Sequence, residues 1–400
     1  MFFKTTEAAK IIFAVSVCVS FNIIFYIFTF LALYGTICKR CISMELYLIW
    51  LTKIFHKYQD IYNFIDSENV EKAFSSNSLT SDFPEAIKNK LFSPKLKDKA
   101  KYEYDYCLKN NIKLISFNST EYPINLSHIP SPPPLLYCKG NILPKDECAI
   151  SIVGSRKFTE YGKTTVKKLS SELASSGVTI VSGMALGIDA FAHSYALAAG
   201  GRTIAVLGTG INIPYPAQNE RLYGEIIEKG AVISEFPINT QAFAQNFTIR
   251  NRIVAGLSLG TLVIEAKKKS GTMITAGLCG EYGRNVYAVP GSIFEPTSTG
   301  TNSLIKDGAK IVTTSQDILE DIYTEISQIT PPKQLSLFTP ANLSDKENKI
   351  YSLLSLTPIL IDEIVTKTTL PLSEILETLT MLELNGYVTE LPGQKYVINA

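Results

Sequence analysis

The chain of 400 residues carries 38 basic and 37 acidic side chains, a formal net charge of +1, and is 46% hydrophobic. That balance excludes a globally basic polyanion binder, so any nucleic-acid contact has to come from local patches. Three widely separated histidines and seven scattered cysteines, with Cys38 and Cys41 the one close pair, make no metal constellation and fit reduced, intracellular thiols.

Residues 1–43 form an apolar extension. No charged side chain occurs from Ile11 to Cys38, and as a helix that run would be about 40 Å long, enough to span a bilayer. Met44-Glu-Leu-Tyr-Leu-Ile-Trp50 also reads as a natural chain start, which would make the extension upstream sequence. Two locations therefore stand: the cytoplasm, or a membrane tether through residues 11–37.

Residues 44–125 read as a small helical domain, with apolar positions from Leu46 to Ile65 and a run of lysines at 88, 90, 95, 97, 99 and 101. A solvated helical face explains those lysines better than a nucleic-acid contact. The proline-rich block Ile129–Tyr137 follows and reads as a stiff connector, because its prolines fit neither a helix interior nor a central strand.

From Ala149 to Val312 short Val- and Ile-rich runs alternate with helix-length segments. Strands are expected at 150–153, 178–181, 203–207, 231–234, 261–264, 286–289 and 310–312, and helices at 161–175, 188–199 and 272–282. Continuous apolar runs mark parallel strands buried on both faces, so the fold class is α/β, an extended Rossmann-like doubly wound parallel sheet spanning 126–325. A linker rich in Pro, Ser and Thr is placed at 326–343. Three helical patterns and two strands about a Pro-Gly turn at 344–400 then suggest a winged helix.

Ligands of such sheets sit beyond the carboxyl ends of the strands. The first strand ends in Gly154, Ser155 and Arg156, within the stretch Gly154-Ser-Arg-Lys-Phe-Thr-Glu-Tyr-Gly162-Lys-Thr-Thr165. Seven residues separate Gly154 from Gly162, which fails the P-loop spacing and leaves a strand-end anion grip, with Gly162, Lys163 and Thr164 belonging to the following helix. Later strand ends carry Ser182, Gly183 and Gly187; Gly208 and Gly210; and Lys267, Lys268, Lys269, Ser270 and Gly271. Tyr215, Asn219 and Arg221 offer an aromatic ring with polar and basic partners, and Arg250, Asn251 and Arg252 open an apolar helix. Arginines two apart do not share a helix face, so one of them is expected to anchor the fold and the other to face the ligand. Glycines let a backbone approach closely while N–H groups and cations meet phosphate, and the set describes an extended groove rather than a pocket for one nucleotide. Asp189 reads as a helix N-terminal charge, and His193 as packed or paired with it. Glu265 is the best candidate for a catalytic carboxylate, yet no base or metal partner accompanies it, so no catalytic residue, metal site or cofactor is assigned.

Gly-Ser-Arg at 154, Ser-Gly-x-Ala-x-Gly-Ile-Asp at 182, Tyr-Pro at 215, Arg-Asn-Arg at 250, Ser-Gly-Thr at 270 with Thr275-Ala276, Pro290-Gly291 and Gly300-Thr-Asn-Ser-Leu304 together resemble the DNA-processing protein A (DprA/Smf) family. The match runs from about Tyr122 to Val312. The resemblance implies a core that binds single-stranded DNA, dimerises, protects incoming strands and helps load RecA in natural transformation, with no enzymatic activity. It implies that Arg156 contacts phosphate, that Arg221 lies near a second basic position, and that residues 44–125 form a sterile-alpha-motif or helix-hairpin-helix domain. The apolar extension is not part of that pattern. The alternative reading is a nucleotide-processing enzyme of the phosphoribohydrolase type, in which Glu265 would be essential. In the winged helix, the third helix from Leu372 to Asn385 has three glutamates and no basic residue. Such a helix repels duplex phosphates and fits a protein partner.

Overall fold

The computed structural model describes residues 44–329, 344–354, 359–368, 370–385, 387–391 and 395–398. The apolar run with Cys38 and Cys41, and most of the expected linker, lie outside these residues. No helix among the described residues is long and apolar enough to cross a membrane. The chain divides into two compact units, 1–329 and 330–400.

In the first unit α1 (residues 44–52), α2 (Tyr58–Ser67), α3 (Val70–Ser76), α4 (Glu85–Leu91) and α5 (Pro94–Lys109) precede the sheet. Trp50 is fully buried, with the rings of Phe74 and Phe64 edge-on at 5.1 and 6.3 Å. The apolar cluster around it continues into Leu135, Tyr137 and Leu207, so the helices and the sheet share one core. The buried carboxylate of Glu103 on α5 ties the two together. It pairs with Lys53 and accepts from Tyr137 Oη at 2.7 Å and the Ile238 amide at 3.0 Å. In the lysine run, Lys90, Lys95, Lys99 and Lys101 are exposed, whereas Lys97 binds the Phe74 carbonyl and Asn77.

The sheet follows as β1 (Lys113–Ser116), a short α6 (Ile124–Ser127), β2 (Leu135–Gly140), β3 (Ala149–Val153), α7 (Glu160–Ser175), β4 (Thr179–Ser182), α8 (Ile188–Ala198), β5 (Thr203–Val206), α9 (Glu220–Lys229) and β6 (Ala231–Ser234). It continues through α10 (Ala244–Gly256), β7 (Gly260–Val263), α11 (Gly271–Glu281), β8 (Asn285–Ala288), α12 (Thr299–Lys306), β9 (Lys310–Ile311) and α13 (Gln316–Ile329). The nine strands lie in the order β1-β2-β6-β5-β4-β3-β7-β8-β9. β3 to β9 are parallel, while β2 pairs antiparallel with β6 and with β1. Every residue of β3 through β7 is buried, the condition that erases alternation from a parallel strand. The hydroxyls inside this core are satisfied locally: Ser151 and Thr261 bond across β3 and β7 at 2.7 Å.

Three expectations are corrected. The proline block is not connector throughout, because the chain enters β2 directly after Pro134 and pairs there as an outer antiparallel strand. β1 is a strand inside the segment read as helical. α13 also continues to Ile329, so the first residues assigned to the linker are helical.

Beyond β3 the chain steps outward through β4, β5 and β6, then returns to the other side of β3 as β7. That reversal makes the carboxyl ends of β3 and β7 the topological switch point, where such sheets open a crevice.

The second unit has α14 (Asp345–Tyr351), β10 (Ile359–Leu360), α15 (Ile361–Thr368), α16 (Leu372–Leu384), β11 (Val388–Leu391) and β12 (Lys395–Ile398), with strand order β10-β12-β11. Ile350, Ile364, Ile375, Leu379 and Leu382 form its core. Ser344 and Glu347 cap the start of α14 reciprocally. Three helices and a terminal hairpin make this unit a winged helix.

Candidate nucleic-acid interface

The crevice at the switch point is a groove of about 640 Å³. Its walls are the loop after β3, the loop after β4, the first turns of α10 and the segment from the end of β7 into α11. Arg156, Lys267 and Lys269 line it and are exposed. So do Ser270, Gly271 and Thr272 at the start of α11, where the Ser270 side chain makes no capping bond. The first amides of a helix lack internal partners, so this end of α11 offers N–H donors and the positive end of a dipole to an anion.

The floor is aromatic. Phe247 on α10 has the Arg156 and Arg250 guanidinium groups each 6.0 Å from its ring centroid, and the exposed Tyr215 ring lies 5.3 Å away at 39°. A planar, cation-flanked ring beside exposed charge suits base stacking next to backbone neutralisation.

Beneath this floor lies a buried electrostatic frame. Arg250 is 4% exposed and donates to the Gly183 carbonyl at 2.6 Å, to the Val206 carbonyl, and to Asn251 Oδ1 at 3.2 Å. Burial lowers its pKa to about 10 against the pull of Asp189. Asp189, buried at the start of α8, is pushed above the usual carboxylate range by burial; Arg250 and the backbone N–H groups of Ala185 and Gly154 oppose that rise. Asn251 reaches across to the Gly271 carbonyl at 3.3 Å, and Thr272 Oγ1 donates to the Gly154 carbonyl at 3.2 Å. These bonds join the ends of β3, β4 and β5 to the middle of α10 and the start of α11.

Glu265 has a structural place. It is 2% exposed and accepts from the Thr159 amide at 3.0 Å, Thr159 Oγ1 at 2.5 Å and Thr297 Oγ1 at 3.3 Å. Gly162 leaves room for it, since a Cβ there would lie 2.4 Å from the carboxylate. The second glycine of the Gly154–Thr165 stretch therefore admits a carboxylate that pins the start of α7. Gly187 is needed for another close approach: its φ is +83°, and a Cβ would meet the Ser155 carbonyl at 2.5 Å.

The groove thus gathers Gly154, Ser155, Arg156, Gly183, Tyr215, Arg250, Asn251, Lys267, Lys269, Ser270 and Gly271. The other expected residues stand elsewhere. Ser182 is buried and bonds the Ile152 carbonyl at 2.6 Å. Gly208 and Gly210 are buried, the first against the Phe247 ring. Asn219 is buried and holds the Met184 carbonyl at 2.9 Å. Lys268 is exposed beside the groove, with its amide 3.3 Å from Thr299 Oγ1.

Two arginines leave the groove. Arg221 projects into solvent from α9 and pairs with Glu225, 2.9 Å away. Arg252 turns to the other side of α10, pairs with the buried Glu235 and donates to the Ser131 carbonyl at 2.5 Å. It lines a second cleft with Tyr58, Phe236 and Ile249.

His193 is fully buried, with Nδ1 2.5 Å from Thr203 Oγ1, so it packs rather than pairing with Asp189. Burial, reinforced by Arg250, lowers its pKa to about 3. A base whose folded pKa is depressed contributes stability that is present above its unfolded pKa and lost as pH falls. The expected result is a loss beginning near 6.5 and continuing toward about 3, with a slope of up to about 1.4 kcal/mol per pH unit. His193→Gln should flatten that dependence in urea titrations at pH 7.5 and 5.5.

The profile of the DNA recombination-mediator protein A family matches residues 113–323, and that of the DprA winged helix domain matches 335–394. The chain belongs to the DNA recombination-mediator protein A family. Protein Smf of Synechocystis is 35% identical over 320 residues, covering 72% of this chain and 80% of that one. The solved structure of DNA processing protein A (DprA) from Streptococcus pneumoniae is similar at a TM-score of 0.53 and 36% identity, over 64% of this chain and 93% of that one. A solved structure of DNA processing protein A from Helicobacter pylori, which concerns that protein's single-stranded DNA binding mode, matches at a TM-score of 0.49 and 30% identity, over 54% and 96% of the two chains.

The motif resemblance therefore holds for the DprA core and for its winged helix. The residue that motif reading passed over is Phe247. It appears in the sequence only as the leader of Thr-Ile-Arg250, and its place in the floor depends on Arg156 and Tyr215, from separate segments, meeting its ring beside its helix neighbour Arg250.

Proposed function

We propose that this member of the family binds single-stranded DNA in the switch-point groove, shields it, and delivers it to a RecA-type recombinase as a cytoplasmic homodimer built on the α/β core. The observation that carries the reading is the convergence of Arg156, Lys267, Lys269 and the N-terminus of α11 around the Phe247–Tyr215 floor. Among the described residues, the one carboxylate lining the groove is Asp189, which is buried and bonded by backbone amides, so an incoming phosphate meets cations without an exposed acid beside them. Single strands suit this geometry better than duplexes, because unpaired bases are free to stack on Phe247 and Tyr215. Within the groove, Arg156, Lys267 and Lys269 act on phosphates, Phe247 and Tyr215 act on bases, and Gly154, Gly183 and Gly271 permit close backbone approach.

α16 of the winged helix presents Glu377 and Glu383 with the exposed side chains of Leu372, Leu376 and Leu384. It is assigned to a protein partner, since duplex phosphates would be repelled there.

The test is a competition titration with a labelled oligothymidylate, followed by recombinase filament nucleation on strands coated with single-strand-binding protein. Unlabelled single strands should displace the label at far lower concentration than duplex of the same length, and the protein should shorten the nucleation lag. Equal competition by duplex, or no effect on nucleation, would refute the corresponding half of the proposal.

A further inference from the structure

The loop that carries Arg156 does not end at the groove. Lys157 also lines it, and the next residue, Phe158, is 37% exposed and packs edge-on against Phe191 of α8 with ring centroids 4.8 Å apart at 81°. Phe191 lies one helical turn before Tyr195, whose ring is 5.9 Å away and nearly parallel at 25°. The Lys163 ammonium of α7 sits 6.0 Å from the Phe191 centroid. Lys167 is exposed one turn further along α7, on the side whose neighbour Ser171 bonds the Tyr195 carbonyl. The acid at this end is the exposed Glu160, 3.8 Å from Lys163. Three rings in series, flanked by lysines and leading out of the groove, form a strip that the groove reading does not use.

We infer that the strip formed by Phe158, Phe191 and Tyr195 with Lys157, Lys163 and Lys167 is a second contact for the same single strand, receiving the nucleotides that leave the groove past Arg156. The inference rests on the groove reading, since the strip is placed by its continuity with that site. A packing role alone would explain Phe191 and Tyr195, which are half-buried. It leaves unexplained the exposed Phe158 ring and the cations lying along the ring series where apolar cover would be expected. Alternating aromatic and basic groups are what a sequence-tolerant single-strand path requires, because every base has a face to stack and every nucleotide has a phosphate to neutralise.

The experiment compares oligothymidylates of roughly six and roughly twenty nucleotides, the first sized to the groove alone and the second long enough to reach the strip. Anisotropy titrations are made with the full chain, the Lys163→Gln/Lys167→Gln pair, Phe158→Ala and Arg156→Ala. The strip variants should bind the short oligomer like the parent and lose roughly five- to tenfold on the long one. Lys163→Gln/Lys167→Gln should also show a salt slope on the long oligomer that is shallower by about 1.4, at about 0.7 per phosphate. Parental binding of both lengths, an equal loss on both, or a change confined to self-association in sedimentation would overturn the strip. Arg156→Ala separates the two ideas: parental affinity of that variant for the short oligomer would sink the groove reading instead.

Discussion

Replacing Arg250 with alanine is expected to destabilise the α/β unit by about 3–5 kcal/mol, since two buried carbonyls lose a charged donor, at about 1.5–3 kcal/mol each, and buried Asp189 loses a nearby positive charge. The side chain donates to the Gly183 and Val206 carbonyls at the ends of two strands, and its positive charge favours the charged form of buried Asp189. Alanine leaves the acid without its counter-charge and both carbonyls without that donor. Arg250→Lys should recover only part of the loss, because an ammonium cannot reproduce the planar fork. The pH dependence has a definite sign. The folded pKa of Asp189 is raised above its ordinary 3.8, so the native state holds the proton more tightly and stability falls as pH climbs from 3.8 through the folded value. Loss of Arg250 removes a force opposing that rise and extends the window upward, so the deficit should be larger at pH 8 than at pH 5. Urea titrations at the two values measure it; a loss below about 1 kcal/mol at both would show that Arg250 is not the frame's counter-charge.

Glu265→Ala is the second large effect. Hydrogen bonds to an ionised carboxylate contribute about 1.5–3 kcal/mol each, but three sharing one acceptor group do not add, so a total of roughly 3–5 kcal/mol is expected. The Thr159 amide at the start of α7 loses its acceptor, and the segment carrying Ser155 and Arg156 loses its pin to β7. Oligonucleotide affinity should therefore fall along with stability, although Glu265 does not reach the groove. Glu265→Gln keeps the shape and one acceptor oxygen and should recover much of both. A stable Glu265→Ala protein that binds DNA like the parent would remove the structural role assigned to this carboxylate.

What was legible in the sequence divides by physical cause. The parallel strands could be read because burial on both faces leaves continuous Val and Ile runs, and each was found to within one residue at either end. β1 and β2 escaped because they are antiparallel outer strands: β1 is only four residues long, with its first half not buried, and β2 is overshadowed by the prolines before it. The glycines and hydroxyls of the strand ends pointed to the edge of the sheet where the groove lies. They did not separate groove residues from those that hold the turns, such as Ser182, Gly208, Gly210 and Asn219, since a buried turn and a ligand loop draw on the same residue types. Divergence of Arg250 and Arg252 followed from helical spacing, but neither is a free cation: Arg250 lies under the floor and Arg252 serves Glu235. Arg221 was placed by proximity to Tyr215 in sequence, and α9 carries it away into solvent.

The central claim is that Arg156, Lys267 and Lys269 neutralise neighbouring phosphates of one single strand. Its most direct test is the salt dependence of oligothymidylate binding by the parent and by the triple alanine variant at these positions. If each cation neutralises one phosphate, the logarithmic slope should become shallower by about 2 in the variant, at about 0.7 per phosphate. A slope equal to the parent's, with the fold intact, would contradict the claim.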